Sequence, residues 1–134
     1  RIGVRWLPGA ERLEPEMVRA LELIRGTLRA PQEFWVDVYP EDARLVSELS
    51  PHGFDREGNV LNGTVDSTRL FPWTRKIPVI LVRQNRDDPT GARTVLHEHV
   101  AHLMPEAAGQ GANHQHRIAW ADQLERDLKE ALNA

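Results

Sequence analysis

The sequence predicts a single α+β domain over residues 1–134, with a mixed sheet of three to five strands and one N-terminal, one histidine-rich and one C-terminal helix. Three observations support this fold class. Short apolar runs typical of strands lie in the first two thirds of the chain. Helical apolar spacing follows the first of these runs and returns in the last third. A chain of 134 residues with 40% hydrophobic residues is long enough to bury one core.

The first three elements follow from apolar periodicity and turn chemistry. Ile2–Leu7 alternates apolar residues with others, which predicts a short strand with one buried face. Glu14-Pro15-Glu16 combines a proline suited to a first helical turn with acids near the positive end of the helix dipole. The spacing that follows predicts a helix over about 15–29. The β-branched and aromatic run Phe34–Tyr39 predicts a second strand.

The middle of the chain has weaker periodicity. Residues 42–49 are compatible with one or two helical turns, whereas residues 50–59 are rich in turn formers and predict a loop. Val60–Asp66 contains Asn62-Gly63, which indicates either a tight hairpin turn or a bulge in an edge strand. Ile77–Val82 is the most apolar run of the chain and predicts a buried strand.

Two helices are predicted after this strand. Asp88 or Thr90 is suited to cap a helix that ends near Met104, because Pro105 follows. The last helix begins near Asn113 and carries an apolar stripe almost to the end of the chain. These two helices complete the three that the fold class requires.

Composition excludes several classes of function. The formal net charge is −3, so we expect no attraction to nucleic acid, and a metal-dependent nuclease is disfavoured. No apolar run approaches the length of a membrane span, and no signal peptide is visible, which favours a cytoplasmic location. Cysteine is absent, so disulfides, thiolate ligands and a cysteine nucleophile are excluded.

A cluster of histidines occupies the predicted histidine-rich helix and the start of the last one. Five of the six histidines in the chain belong to it: His97, His99, His102, His114 and His116. Glu98 directly follows the first. Histidines beside a glutamate are typical of a zinc site with a general base. Structural zinc sites favour cysteine, which favours catalysis here, but a non-catalytic metal-binding or structural domain with a four-histidine site stays open.

The geometry of a regular helix constrains this cluster. One stripe of the helix is apolar and is assigned to the core: Leu96, Val100 and Leu103. Glu98 and His102 point roughly away from that stripe. His97 and His102 are five residues apart, so on a regular helix they point about 140° from each other. They can share one metal only if the helix widens between them, as it does at a π-bulge, which leaves His99 off the site.

The segment His97–His102, which reads H-E-H-V-A-H, resembles the H-E-x-x-x-H helix of the dipeptidyl peptidase III family of zinc peptidases. The order of elements resembles more broadly the minimal zincins, in particular the SprT-like small zinc peptidases. In that family a third histidine lies in an H-x-x-x-aromatic segment. The segment His116–Trp120, H-R-I-A-W, is similar to it.

The resemblance implies a zincin-like fold and a Zn²⁺-dependent metallopeptidase that acts on a peptide or protein substrate. It assigns three metal ligands: His97, His102 and His116. It assigns the general base to Glu98. His114, closer to the glycine-rich loop, is the fallback for the third ligand. The edge strand near Val60–Asp66 is expected to bind the substrate as an added strand.

Overall fold

A four-stranded mixed sheet with helices packed on it confirms the predicted α+β fold class. The computed structural model describes residues 2–27, 34–48, 50–66 and 78–98, and residues 119, 122–124, 126, 127, 129 and 130. The elements in chain order are β1 (Ile2–Trp6), α1 (Glu14–Thr27), β2 (Phe34–Tyr39), β3 (Gly63–Asp66), β4 (Val79–Arg83) and α2 (Ala92–Glu98). The described residues from 119 onward are helical and belong to the predicted C-terminal helix.

The strand order in the sheet is β1-β2-β4-β3. β1, β2 and β4 run parallel, whereas β3 runs antiparallel to β4, with Gly63 opposite Val82 and Asp66 opposite Val79. β4 lies inside the sheet and is covered on both faces, which accounts for its continuous apolar sequence. β3 is a terminal strand of the sheet, as predicted for this part of the chain.

The main core lies between the sheet and helices α1 and α2. Its buried members come from both helices and from every strand but β1: Met17, Ala20, Leu21, Phe34, Val36, Val38, Val65, Ile80, Val82, Ala92, Val95 and Leu96. Alternate residues of β2 face this core, as the pleat of a strand requires. Leu124 of the C-terminal helix packs against the same cluster. Helix α2 and the C-terminal helix, which lie beside the predicted site, therefore pack on the same core.

The opposite face of the sheet is covered by the segment between β2 and β3. Leu45 is buried there with Val79 and Leu81, and Trp35 and Tyr39 pack against them. The predicted helical turns at 42–49 are wrong for residues 42–48, which the structure describes as non-helical. Burial alternates along this segment: the Leu45 side chain faces the sheet, and the side chain next to it is exposed. Such alternation is typical of an extended chain, which covers this face of the sheet.

Of the two alternatives for Asn62-Gly63, the tight hairpin turn is wrong, and Gly63 instead lies in an edge strand. Gly63 is already the first residue of β3, and the Asn62 side chain accepts a hydrogen bond from Arg83 Nη2 at 2.7 Å. The reversal of the chain lies earlier, where Phe54 pairs with Val60. Gly58 supplies a positive φ of 84° within that reversal.

An ion pair between the exposed Arg5 side chain and the buried Asp37 carboxylate joins β1 to β2. Arg5 donates to both carboxylate oxygens of Asp37, from Nη2 at 2.7 Å and from Nε at 3.1 Å. Asp37 is only 2% exposed, so the two-pronged contact satisfies a carboxylate on the face opposite the helices. This hydrogen bond raises the pKa of the Arg5 guanidinium. The two residues are register partners, so the pair fixes how β1 and β2 align.

The start of α2 is held by two side chains, and both residues proposed as caps take part. Thr90 Oγ1 accepts a hydrogen bond from Ala92 N at 3.0 Å. The Asp88 carboxylate accepts from Arg93 N at 3.2 Å, from Thr94 N at 2.9 Å and from Thr94 Oγ1 at 2.7 Å. These contacts satisfy backbone donors that the first turn of a helix leaves open. No helix in the described part of the chain is long and apolar enough to cross a membrane.

Replacing Asp88 with alanine should destabilise the fold by about 1–2 kcal/mol, because two backbone donors of α2 lose their acceptor. The measurement is the free energy of unfolding from denaturant titration. The matched control is Asp87→Ala, which removes the exposed neighbouring carboxylate. Equal unfolding free energies for the two variants would show that the Asp88 cap contributes nothing to α2.

Candidate functional site

The last two described residues of α2 are His97 and Glu98, and they face different neighbours. Consecutive residues of a helix point about 100° apart, so these two side chains can face different surroundings. Glu98 is buried, with 9% of its surface exposed. The His97 side chain is 25% exposed. The site therefore lies where α2 meets β3 on one side and the C-terminal helix on the other.

Glu98 packs against the first residue of the edge strand. A Cβ atom built on Gly63 would lie 2.9 Å from Glu98 Cγ and 3.1 Å from Glu98 Oε1. It would also clash with Thr94 Cγ2, one helical turn earlier. Gly63 is required here for space, since no other residue lets the strand and the helix approach so closely. The Glu98 carboxylate is thereby fixed beside the edge of the sheet.

His97 lies beside an acid of the C-terminal helix. Its Nδ1 atom is 3.8 Å from Oδ1 of Asp122. This distance is longer than a direct hydrogen bond, and the two groups form an ion pair only when the imidazole is protonated. The Asp122 side chain is 48% exposed, so it retains room to move relative to the imidazole.

The structure brings together two of the predicted site residues, the candidate ligand His97 and the candidate base Glu98. The other histidines of the cluster lie outside the described residues: His99, His102, His114 and His116. Within the described ranges, no group of three histidine, cysteine or acidic side chains can hold a metal. The predicted widening of the helix beyond Glu98 also lies outside the described residues.

The two described residues fit a zinc centre in their chemistry. An imidazole nitrogen is a common zinc donor, and a carboxylate next to a ligand in sequence is the usual position of a general base. Histidine ligands usually also have a carboxylate beside the imidazole, which orients the ring. His97 supplies the nitrogen donor, Glu98 the carboxylate next to it in sequence, and Asp122 the carboxylate beside the imidazole.

The sequence carries no local signal that Gly63, Thr94 or Asp122 belongs to the site. Gly63 follows an asparagine, and this pair is far better known as a turn signal than as a point of close helix approach. Asp122 is one of several acids in the last helix and carries no local signature. Only the sheet register and the packing of the helices place these residues beside His97 and Glu98.

No family model, no curated protein and no solved structure matches this chain. Function is therefore inferred from His97, Glu98 and the residues around them.

Gly63→Ala should destabilise the protein by about 1–3 kcal/mol, because the added methyl overpacks the contact between β3 and α2. The measurement is the free energy of unfolding. Combining it with Thr94→Ser removes the clashing Cγ2 while keeping the hydroxyl that donates to Asp88, so part of the loss should be recovered. A Gly63→Ala protein as stable as the parent would show that the strand and helix do not approach this closely.

Proposed function

We propose that the protein is a zinc-dependent metallopeptidase that hydrolyses peptide bonds in a peptide or protein substrate. One observation carries the proposal: the carboxylate of Glu98 is buried beside an edge strand and follows His97 on the same helix. An adjacent imidazole and acid on one helix, next to the terminal strand of the sheet, would bring a metal donor, a base and a peptide-binding edge together.

Three histidines are proposed as the metal ligands: His97, His102 and His116. His114 remains the fallback for the last of them. When bound, zinc supplies Lewis-acid polarisation of the scissile carbonyl and makes an attacking water acidic enough to react near neutral pH. Glu98 accepts a proton from that water and passes it to the leaving amine nitrogen, which makes it both general base and general acid.

The edge strand supports a peptide substrate in particular. β3 is terminal in the strand order, so its outer backbone groups can pair with an added extended chain. Gly63 is at the start of this strand and touches Glu98. A peptide paired along β3 would therefore pass beside the proposed base. The short strand, Gly63–Asp66, spans enough residues to align a few peptide units.

Protein purified without a histidine tag should contain about one zinc per chain, as one three-ligand site requires. Elemental analysis measures this. Alanine variants of the proposed ligands, His97, His102 and His116, should lose zinc, while His99→Ala and the exposed His52→Ala should retain it. Loss of zinc in His99→Ala with retention in His97→Ala would contradict the assigned ligand set. Protein that takes up no zinc after reconstitution would refute the proposed function.

Glu98→Gln should retain fold and zinc but lose peptidase activity by about 10²–10⁴-fold, because the amide cannot accept a proton from water. The measurement is turnover of a fluorogenic peptide library, together with zinc content and thermal unfolding. Glu130→Gln, an exposed acid of the C-terminal helix, is the matched control and should keep full activity. Unchanged turnover in Glu98→Gln would make this glutamate a bystander. An absence of turnover in the zinc-loaded parent would favour a non-catalytic metal-binding domain.

A further inference from the structure

We propose that the outer edge of β1 is an interaction surface for a second copy of this chain, whose β1 strand pairs with it antiparallel. β1 is a terminal strand of the sheet and pairs with β2 on its inner side. A terminal strand presents backbone donors and acceptors to which another chain can bind. Two copies related by a two-fold axis would join their sheets through this edge.

The outer edge of β1 is formed by the backbone groups of Val4 and Trp6. Leu7 N donates to Val38 O of the neighbouring strand at 2.9 Å. Successive residues of a strand direct their backbone groups to opposite sides, so every second residue before Leu7 also bonds to β2. The N–H and C=O groups of Val4 and Trp6 therefore point away from the sheet. Within the described ranges, no residue forms a hydrogen bond with these outward groups.

The side chains of the same two residues leave apolar surface at the edge of the main core. Val4 and Trp6 pack against this core but are only partly buried, whereas every other strand contributes fully buried residues to it. At the other end of the sheet, Thr64 and Val65 of β3 are already buried within the fold. β1 is therefore the edge where an added strand would cover further apolar surface.

Symmetry restricts the ways in which two copies of β1 can pair. Residues whose backbone groups face the partner form the hydrogen-bonded pairs of an antiparallel ladder. With Val4 opposite Val4 of the second copy, Ile2 lies opposite Trp6, and about six hydrogen bonds join the strands. Arg5 then lies opposite Gly3. A register shifted by two residues either opposes Arg5 to Arg5, where like charges repel, or moves Trp6 past the end of the second β1.

The surroundings of Gly3 suit the arginine of a second copy. A Cβ atom built on Gly3 would collide with the ring of Trp35, so the indole lies across this part of β1. Arg5 of the second copy would lie beside this indole, and a guanidinium near the face of a tryptophan is attracted to it. Asp37 accepts a hydrogen bond from Arg5 Nη2 of its own copy at 2.7 Å. This carboxylate compensates the charge that would otherwise protect the edge from pairing.

Sedimentation of the purified full chain should show a monomer–dimer equilibrium with a Kd of about 1–100 µM, as expected for a small interface. Val4→Lys places two ammonium groups opposite each other at the two-fold axis, so it should raise the Kd by about 100-fold or more. The matched control is Val18→Lys, which makes the same change at an exposed valine of α1 and should leave the Kd unchanged.

Amide hydrogen exchange locates the interface. The amides of Val4 and Trp6 should exchange more slowly as the protein concentration rises through the Kd, because dimer formation gives them acceptors. The amides of Gly3 and Arg5 already bond to β2 and should be protected at every concentration.

A cysteine variant tests the same contact without adding charge. The chain contains no cysteine, so Val4→Cys introduces a single thiol in place of a small apolar side chain. A short bismaleimide should link two copies of this variant rapidly. It should link Val18→Cys, with its thiol on α1, only at the slower rate of random collision.

Each contrary result would overturn the inference. A parent protein that stays monomeric at about 500 µM forms no such dimer. A dimer that persists in a folded Val4→Lys variant uses another surface. Concentration-dependent protection of Gly63 and Val65, without that of Val4 and Trp6, would assign the contact to β3. If Val4→Lys does not fold, equal crosslinking rates of the two cysteine variants would overturn the inference instead. β1 carries none of the proposed metal ligands, so the proposed function is tested separately.

Discussion

The close approach of α2 to the edge strand β3 is the constraint on which the rest of the site depends. It requires a glycine at position 63, since any side chain there would collide with Thr94 and Glu98. It also requires α2 to begin at a fixed point, and the side chains of Thr90 and Asp88 fix that point. The position of α2 comes from these contacts and from its buried face, because tertiary packing supplies most of the stability of helices in proteins.

This close approach places a carboxylate and an imidazole where α2, β3 and the C-terminal helix meet. Glu98 is directed toward the sheet edge, and His97 toward Asp122 of the C-terminal helix. The terminal strand of the described sheet, β3, lies next to the carboxylate. The proposed peptidase chemistry follows from this combination, since each group has a role that its surroundings favour.

Local chemistry made much of the fold predictable. β2 was predicted at its observed bounds, Phe34–Tyr39, because β-branched and aromatic residues with a following proline define a strand without help from distant residues. The caps of α2 were predicted for the same reason, since a cap involves only neighbouring residues. Helix α1 lies at Glu14–Thr27, close to its predicted bounds.

The errors and omissions arise where distant contacts decide the conformation. Residues 42–48 have a composition compatible with a helix. In the structure Leu45 and Ser47 are instead buried against the sheet, and the Ser47 hydroxyl lies 2.7 Å from that of Thr64. Gly63 looked like part of a turn because its packing partner, Glu98, is far along the chain. For the candidate site, the sequence was sufficient to select His97 and Glu98, but only the packing of two helices identified Asp122.

The most direct test of the central claim is a crystal structure of the zinc-loaded protein with anomalous scattering recorded at the zinc absorption edge. The account predicts one strong anomalous peak within bonding distance of a His97 nitrogen, about 2.0–2.1 Å, with the Glu98 carboxylate beside it but not among the ligands. A peak elsewhere on the molecule, or a zinc ion bound directly by Glu98 and not by His97, would contradict the account.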